Sequence, residues 1–160
     1  MRSWAYFSGP LRNAMHRLKY KRDIALGDEL AQPLIRLFVR TGWVVDLVTV
    51  VPTGAARQVE RGYNQAALLA RPLALSQGIA FCSASLHKSR ETRSQVGLNV
   101  QQRRENVAGA FHADIGSVQG KRVLLVDDLV TSGATAAACT LALNQAGARQ
   151  VYVLTLARVG

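Results

Sequence analysis

The sequence predicts an α/β protein built on a parallel β-sheet with helices on both sides. Three observations carry this. Residues 44–51 (VVDLVTVV) and 123–126 (VLLV) are short, nearly unbroken apolar runs rich in branched side chains, the pattern of strands buried on both faces. Segments with helical spacing lie between and after them, so strands and helices alternate from residue 44 onward. Such alternation implies right-handed crossovers between parallel strands. A chain of 160 residues suits one domain with its own core. No repeat or linker divides it, so residues 1–43 are expected as a helical appendage and residues 44–160 as the α/β core.

Taken in order, Ser8-Gly9-Pro10 reads as a helix start, with Ser8 as cap and Pro10 near the first turn. Leu11, Met15 and Leu18 follow on one face. A second helix is predicted over 26–40 through Leu30, Leu34, Leu37 and Phe38, with Pro33 kinking or restarting it and Thr41-Gly42 ending it. Pro52-Thr53-Gly54 breaks the strand at 44–51. A helix over about 64–76 follows, with Asn64 as a candidate cap and Pro72 an awkward interior residue. Residues 79–86 read as a short strand, 87–107 as polar and basic with little periodicity, and 108–112 as another short strand. The helix at 131–145 ends before Gly147, and 151–156 (VYVLTL) is the last strand.

The formal net charge is +10. Basic residues gather before Asp23, around Glu60, and between Lys88 and Arg104. That balance favours phosphorylated partners, or else serves only solubility. The aromatic residues are few and suggest no stacking platform for bases. No apolar run reaches the roughly 18 residues of a membrane span, and the N-terminus lacks an apolar signal core. A cytoplasmic protein without a membrane span is expected. Cys82 and Cys139 stand far apart, which suggests neither a zinc site nor a disulfide framework; Cys139 reads as a core residue.

The most informative stretch is VLLVDDLVTSGAT, residues 123–135. A strand opens there into a loop and a helix, so backbone N–H groups and the helix dipole can converge on an anion. Thr131, Ser132 and Thr135 add hydroxyls, and Gly133 permits close approach. Asp127 and Asp128 are poor phosphate ligands but good acceptors for two vicinal hydroxyls. A ribose 5-phosphate satisfies both halves of the stretch. A divalent cation on the same sugar would also call for nearby carboxylates, so Asp127 and Asp128 are candidate Mg2+ ligands, directly or through water. The plainer alternative is a strand end followed by a helix cap.

This stretch resembles the phosphoribosyl pyrophosphate (PRPP) motif of type I phosphoribosyltransferases. YFSGPLRNAMHRLKY, VPTGAARQVERGYNQAALLA, residues 90–95 (RETRSQ) and NVAGAF together resemble the ComF family of competence-associated, phosphoribosyltransferase-like proteins, in order and along nearly the whole chain. The resemblance implies a Rossmann-like parallel sheet with a flexible loop over the site. It implies that Asp127 and Asp128 bind ribose and that Thr131, Ser132, Gly133, Ala134 and Thr135 bind the 5-phosphate. The pyrophosphate loop would begin at Thr53 and include Arg57 and Arg61, whose alternative is a solvated face. Lys88, Arg90, Thr92 and Gln95 fall where the mobile loop is placed, with a plain surface loop as the alternative. Gln65 reads as structural. Family members usually begin with a four-cysteine region; this sequence is expected to lack it.

The resemblance implies PRPP or a phosphorylated nucleotide as ligand, Mg2+ as cofactor, and pentosyl transfer to an unknown acceptor. A non-catalytic PRPP- or nucleotide-sensing role is the alternative, as is single-stranded DNA binding beside the competence machinery. A second copy of the chain is a further candidate partner. No general base stands out: His16, His87 and His112 have no evident partner.

Overall fold

The computed structural model describes residues 1–92 and 97–160. Five parallel strands form the central sheet in the order β1-β7-β6-β2-β3. They are β1 (Arg2–Tyr6), β2 (Leu47–Val50), β3 (Ala80–Phe81), β6 (Arg122–Val130) and β7 (Gln150–Arg158). An antiparallel ribbon of β4 (Leu86–Lys88) and β5 (Phe111–Ala113) stands apart from it. The helices are α1 (Gly9–Tyr20), α2 (Leu26–Thr41), α3 (Ala55–Arg61), α4 (Gln65–Ser76), α5 (Val100–Val107), α6 (Ile115–Val118) and α7 (Ala134–Gln145).

Strand alternation divides the core in two. Leu47, Val123, Leu125 and Val153 face one side and pack with α7, α5 and the β4–β5 ribbon. Val48, Val50, Leu124, Val126, Leu154 and Leu156 face the other and pack with α1, α2 and α4. Both faces are covered, as the apolar runs require. Among the described residues, no helix is long and apolar enough to cross a membrane.

Several elements differ from expectation. The N-terminal segment is more than helical: Arg2–Tyr6 forms an edge strand paired with β7, and α2 packs into the core below it. The alternation of Arg2, Trp4 and Tyr6 (exposed) with Ser3 and Ala5 (half-buried) is a strand signature over only five residues. The second helix runs from Leu26 to Thr41 through Pro33, and α4 runs through Pro72. Residues 79–86 do not form one strand. Ser85 Oγ bonds Thr49 Oγ1 at 2.9 Å and the Cys82 carbonyl at 2.8 Å, holding a 3₁₀ turn between β3 and β4. Within the segment read as irregular, Asn99 and Gln102 form a reciprocal capping box that starts α5.

An ion pair ties the start of β6 to the approach to β2. Arg122 Nη2 lies 2.6 Å from Asp46 Oδ1, and the Arg122 main-chain N–H donates to Asp46 Oδ2 at 2.8 Å. The Arg122 side chain and then its backbone N–H hold the Asp46 carboxyl far below its ordinary value of 3.8. A depressed carboxylate contributes stability above its unfolded value and loses it as pH falls through the folded one. Asp46→Asn is therefore expected to lower the denaturation midpoint at neutral pH, with the gap from wild type shrinking in acid below 3.8. Chemical denaturation at several pH values checks this; a pH-independent gap would remove the assignment.

Candidate active-site cleft

The sheet order reverses between β2 and β6: from β2 the chain moves outward to β3, and from β6 it moves the other way to β7. Loops leaving two such strands diverge and leave a crevice at their carboxyl ends. A cleft of about 710 Å³ lies there. The loop after β2 and the loop after β6 form two of its walls, and the C-terminal turn of α1 closes a third.

The two aspartates sit within β6, ahead of Leu129 and Val130, because β7 stays paired with that strand as far as Val130 and Arg158. Successive strand residues face opposite ways, so the carboxylates have different surroundings. Asp127 Oδ1 accepts the Asp128 N–H at 2.8 Å. Burial, then the charge of Asp128, raises the Asp127 carboxyl well above the usual range. Cys139 of α7 is fully buried; burial first, then the Asp127 charge, pushes its thiol up. Asp128 instead meets Lys19 Nζ at 2.6 Å through Oδ2. Apart from that ion pair, this buried oxygen has no hydrogen-bond partner among the described residues.

After Val130 the chain turns through Gly133, whose φ of +76° suits glycine, into α7. Thr131, Ser132, Gly133, Ala134 and Thr135 all line the cleft. The Ser132 hydroxyl accepts the Ala134 N–H at 3.4 Å. Arg103, reaching over from α5, donates to Thr131 Oγ1 at 3.1 Å.

The opposite wall is basic. Thr53, Arg57 and Arg61 line it, with residues 55–61 coiled into α3. Glu91 places a carboxylate there: the Ala55 N–H donates to Glu91 Oε1 at 2.7 Å, and Lys88 Nζ lies 3.4 Å from Oε2. The Ala55 N–H, then Lys88, lowers the Glu91 carboxyl. Gly54 makes this approach possible, since a Cβ there would stand 2.7 Å from Glu91 Oε2. Arg61 donates through Nη1 to Gln65 Oε1 at 3.0 Å. Arg61 Nε and Gln65 Nε2 are buried donors without a hydrogen-bond partner among the described residues. Asn64 caps α4 as expected, accepting the Ala66 N–H at 2.9 Å.

Of the expected mobile-loop residues, Lys88 and Thr92 line the cleft. Arg90 is not among the lining residues; it donates to the Asn106 and Ala108 carbonyls at 3.2 and 3.0 Å. Gln95 lies outside the described residues. Lys19, Gln65 and Arg103 are cleft residues that the sequence reading did not single out for ligand contact. The end of α1 is fastened beside them: the Tyr63 hydroxyl donates to the Leu18 carbonyl, the Arg61 guanidinium lies 5.2 Å over the Tyr20 ring, and Arg22 Nη2 donates to the Glu60 carbonyl at 3.0 Å.

Residues 60–160 match the phosphoribosyl transferase domain family. The chain is 35% identical over 157 residues to the DNA utilization protein YhgH of Salmonella typhi, covering 95% of this chain and 69% of that protein. It is 30% identical over 161 residues to competence protein F of Haemophilus influenzae, covering 96% and 70%. Among solved structures it superposes on glutamine PRPP amidotransferase from B. subtilis with a TM-score of 0.60 and 22% identity, over 89% of this chain and 30% of that one. That likeness concerns the fold. The order of the strands, the two loops at their switch point and these relatives agree, and the chain belongs to the phosphoribosyltransferase-domain family, in its ComF branch.

Proposed function

We propose that the cleft binds PRPP, a ribose 5-phosphate carrying a 1-diphosphate, and that the protein acts as a phosphoribosyltransferase on an acceptor still to be identified. The observation that carries this is the meeting, in one cleft, of three unlike surfaces that suit the three parts of one ligand. The aspartates offer acceptors for hydroxyls, the loop at 131–135 offers hydroxyls and a helix start for a monophosphate, and the wall at Thr53, Arg57 and Arg61 offers cations for a diphosphate. Buried polar groups ordinarily find partners. Among the described residues, Arg61 Nε and Gln65 Nε2 are donors without one, and Asp128 Oδ2 is an acceptor with only an ion pair. A ligand with anionic oxygens on one side and hydroxyls on the other would satisfy all three. The Ala55 amide already holds an anionic group, the Glu91 carboxylate.

No cluster of three or more metal-ligating side chains exists among the described residues. Mg2+ is commonly held by one or two carboxylates together with substrate phosphates, and Asp127 and Asp128 fit that arrangement. When bound, Mg2+ would neutralise charge on the diphosphate. The chain's own groups then have defined tasks. Asp127 and Asp128 orient the sugar, the loop at 131–135 anchors the phosphate, and Arg57 and Arg61 receive the diphosphate as it leaves C1 with the bonding electron pair. Catalysis here is positioning and charge neutralisation. The names of the relatives suggest that this chemistry, or the binding alone, serves DNA uptake or use.

Isothermal titration of PRPP with Mg2+ tests the reading. Micromolar binding is expected for the parent, and its loss in Asp127→Asn/Asp128→Asn. Release of pyrophosphate on addition of nucleobases would then establish transfer. No binding by the folded parent would sink the proposal.

A further inference from the structure

Lys19 reaches the aspartates from the last turn of α1, and its Nζ lies 2.6 Å from Asp128 Oδ2. Its two chain neighbours are both fastened. Leu18 is buried and its carbonyl accepts the Tyr63 hydroxyl. The Tyr20 ring lies under the Arg61 guanidinium. The backbone that carries Lys19 is therefore fixed beside the cleft. Both partners line the cleft and are mostly sheltered, their side chains 20% and 13% exposed. The two groups neutralise each other's charge, yet Asp128 Oδ2 has no hydrogen-bond partner among the described residues. They are paired in charge and unpaired in hydrogen bonds.

We propose that Lys19 determines the sugar specificity of the cleft, reading one hydroxyl of the bound pentose together with Asp128. The proposal rests on the ribose 5-phosphate reading above and names what the site selects. An ammonium offers only donors and a carboxylate only acceptors. A sugar hydroxyl is both at once: it can donate to Asp128 Oδ2 and accept from Lys19 Nζ. A carboxylate alone would check only for a donor. The ion pair checks the hydroxyl in both senses, and a hydrogen in its place satisfies neither group. Sites built to hydrogen-bond a hydroxyl reject analogues that lack it far more strongly than apolar pockets reject a missing methylene. The ligand class is therefore a pentose 5-phosphate with its vicinal diol intact, and deoxypentose 5-phosphates are excluded.

A lysine that served only to balance Asp128, to hold α1 in place or to attract phosphate would act on every pentose phosphate alike. The ratio of affinities between sugars separates that role from hydroxyl recognition. Ribose 5-phosphate, 2-deoxyribose 5-phosphate and 3-deoxyribose 5-phosphate are titrated calorimetrically, beside PRPP, into the full chain and into Lys19→Met. The parent is expected to prefer ribose 5-phosphate over each deoxy sugar by about ten-fold or more, the scale of a hydrogen bond to a charged group. In Lys19→Met the preference over at least one deoxy sugar should shrink by about ten-fold, and that sugar names the hydroxyl that Lys19 reads. Lys19→Arg, which keeps the cation and its donors, should retain more of the preference than Lys19→Met.

Two results would overturn the proposal while leaving the PRPP reading intact. One is a parent that binds PRPP and all three sugars with no preference for the diol, which needs no variant to fold. The other is a folded Lys19→Met that weakens all three sugars by the same factor. A parent that binds neither PRPP nor any of the sugars would overturn both readings together.

Discussion

Replacing Lys19 with methionine is expected to lower folding stability by about 2 kcal/mol, between the values for exposed and buried ion pairs. The pair joins Lys19 and Asp128, whose side chains are 20% and 13% exposed. Removing the ammonium leaves a mostly sheltered carboxylate next to a second one. The loss comes from that stranded charge rather than from lost packing, because the methionine stem still covers the same surface. Adding Asp128→Asn to the same chain should therefore restore most of the stability, and a double-mutant cycle by urea unfolding measures the coupling. Equal effects of Lys19→Met in the wild-type and Asp128→Asn backgrounds would show that the pair carries no coupling energy. PRPP binding is expected to weaken as well, since α1 holds one wall of the cleft through this contact and through Tyr63 and Arg61.

The second large effect runs in opposite directions for stability and binding. Asp127→Asn is expected to raise the thermal midpoint at neutral pH while weakening PRPP by about ten-fold or more, the scale of a lost hydrogen bond to a charged group. Burial and the charge of Asp128 raise the Asp127 carboxyl. A carboxyl raised in the folded state contributes stability below its unfolded value and loses it as pH rises through the folded one. Neutral pH lies above the unfolded value, so part at least of that contribution is gone there. The variant keeps an oxygen able to accept the Asp128 N–H and carries no charge. Its thermal advantage should thus be present at neutral pH and fade below the ordinary value of 3.8. Each kcal/mol gained corresponds to roughly 2–4 °C in a chain of this size. Differential scanning calorimetry across pH, beside titration of PRPP, reads both effects. An unchanged or lowered midpoint at neutral pH would mean that the carboxylate is not strained there.

What the sequence disclosed follows a physical line. The stretch at 123–135 was legible because strand, loop and helix are contiguous, so local pattern alone places its residues on one side of the cleft. Arg57 and Arg61 were legible by their charge after a strand end. Lys19, Gln65 and Arg103 were not, because each reaches the cleft from an element that folding brings over it. Lys19 meets Asp128 across more than a hundred residues of chain, and no local spacing encodes that. The helix at Val100–Val107 could have been found from Asn99 and Gln102, three residues apart, which satisfy its first amides. The strand at Arg2–Tyr6 was hidden by its polar, five-residue alternation. An edge strand has no need of the unbroken apolar run that betrayed β2 and β6.

The pairing of β1 with β7 has a kinetic consequence. Tyr6 aligns with Arg158, so β1 leaves the ribosome long before the strand it needs. At ordinary elongation rates the wait is roughly 7 to 30 s, far longer than helix formation or the closing of short loops. Until then β1 has no partner, and the flank of β6 that β7 will cover stays open. Closure of the sheet therefore comes late, made by the contacts of greatest sequence separation, the class that slows folding most. Nascent chains in which β6 has emerged but β7 has not should expose β1 and the unpaired flank of β6 to chaperones.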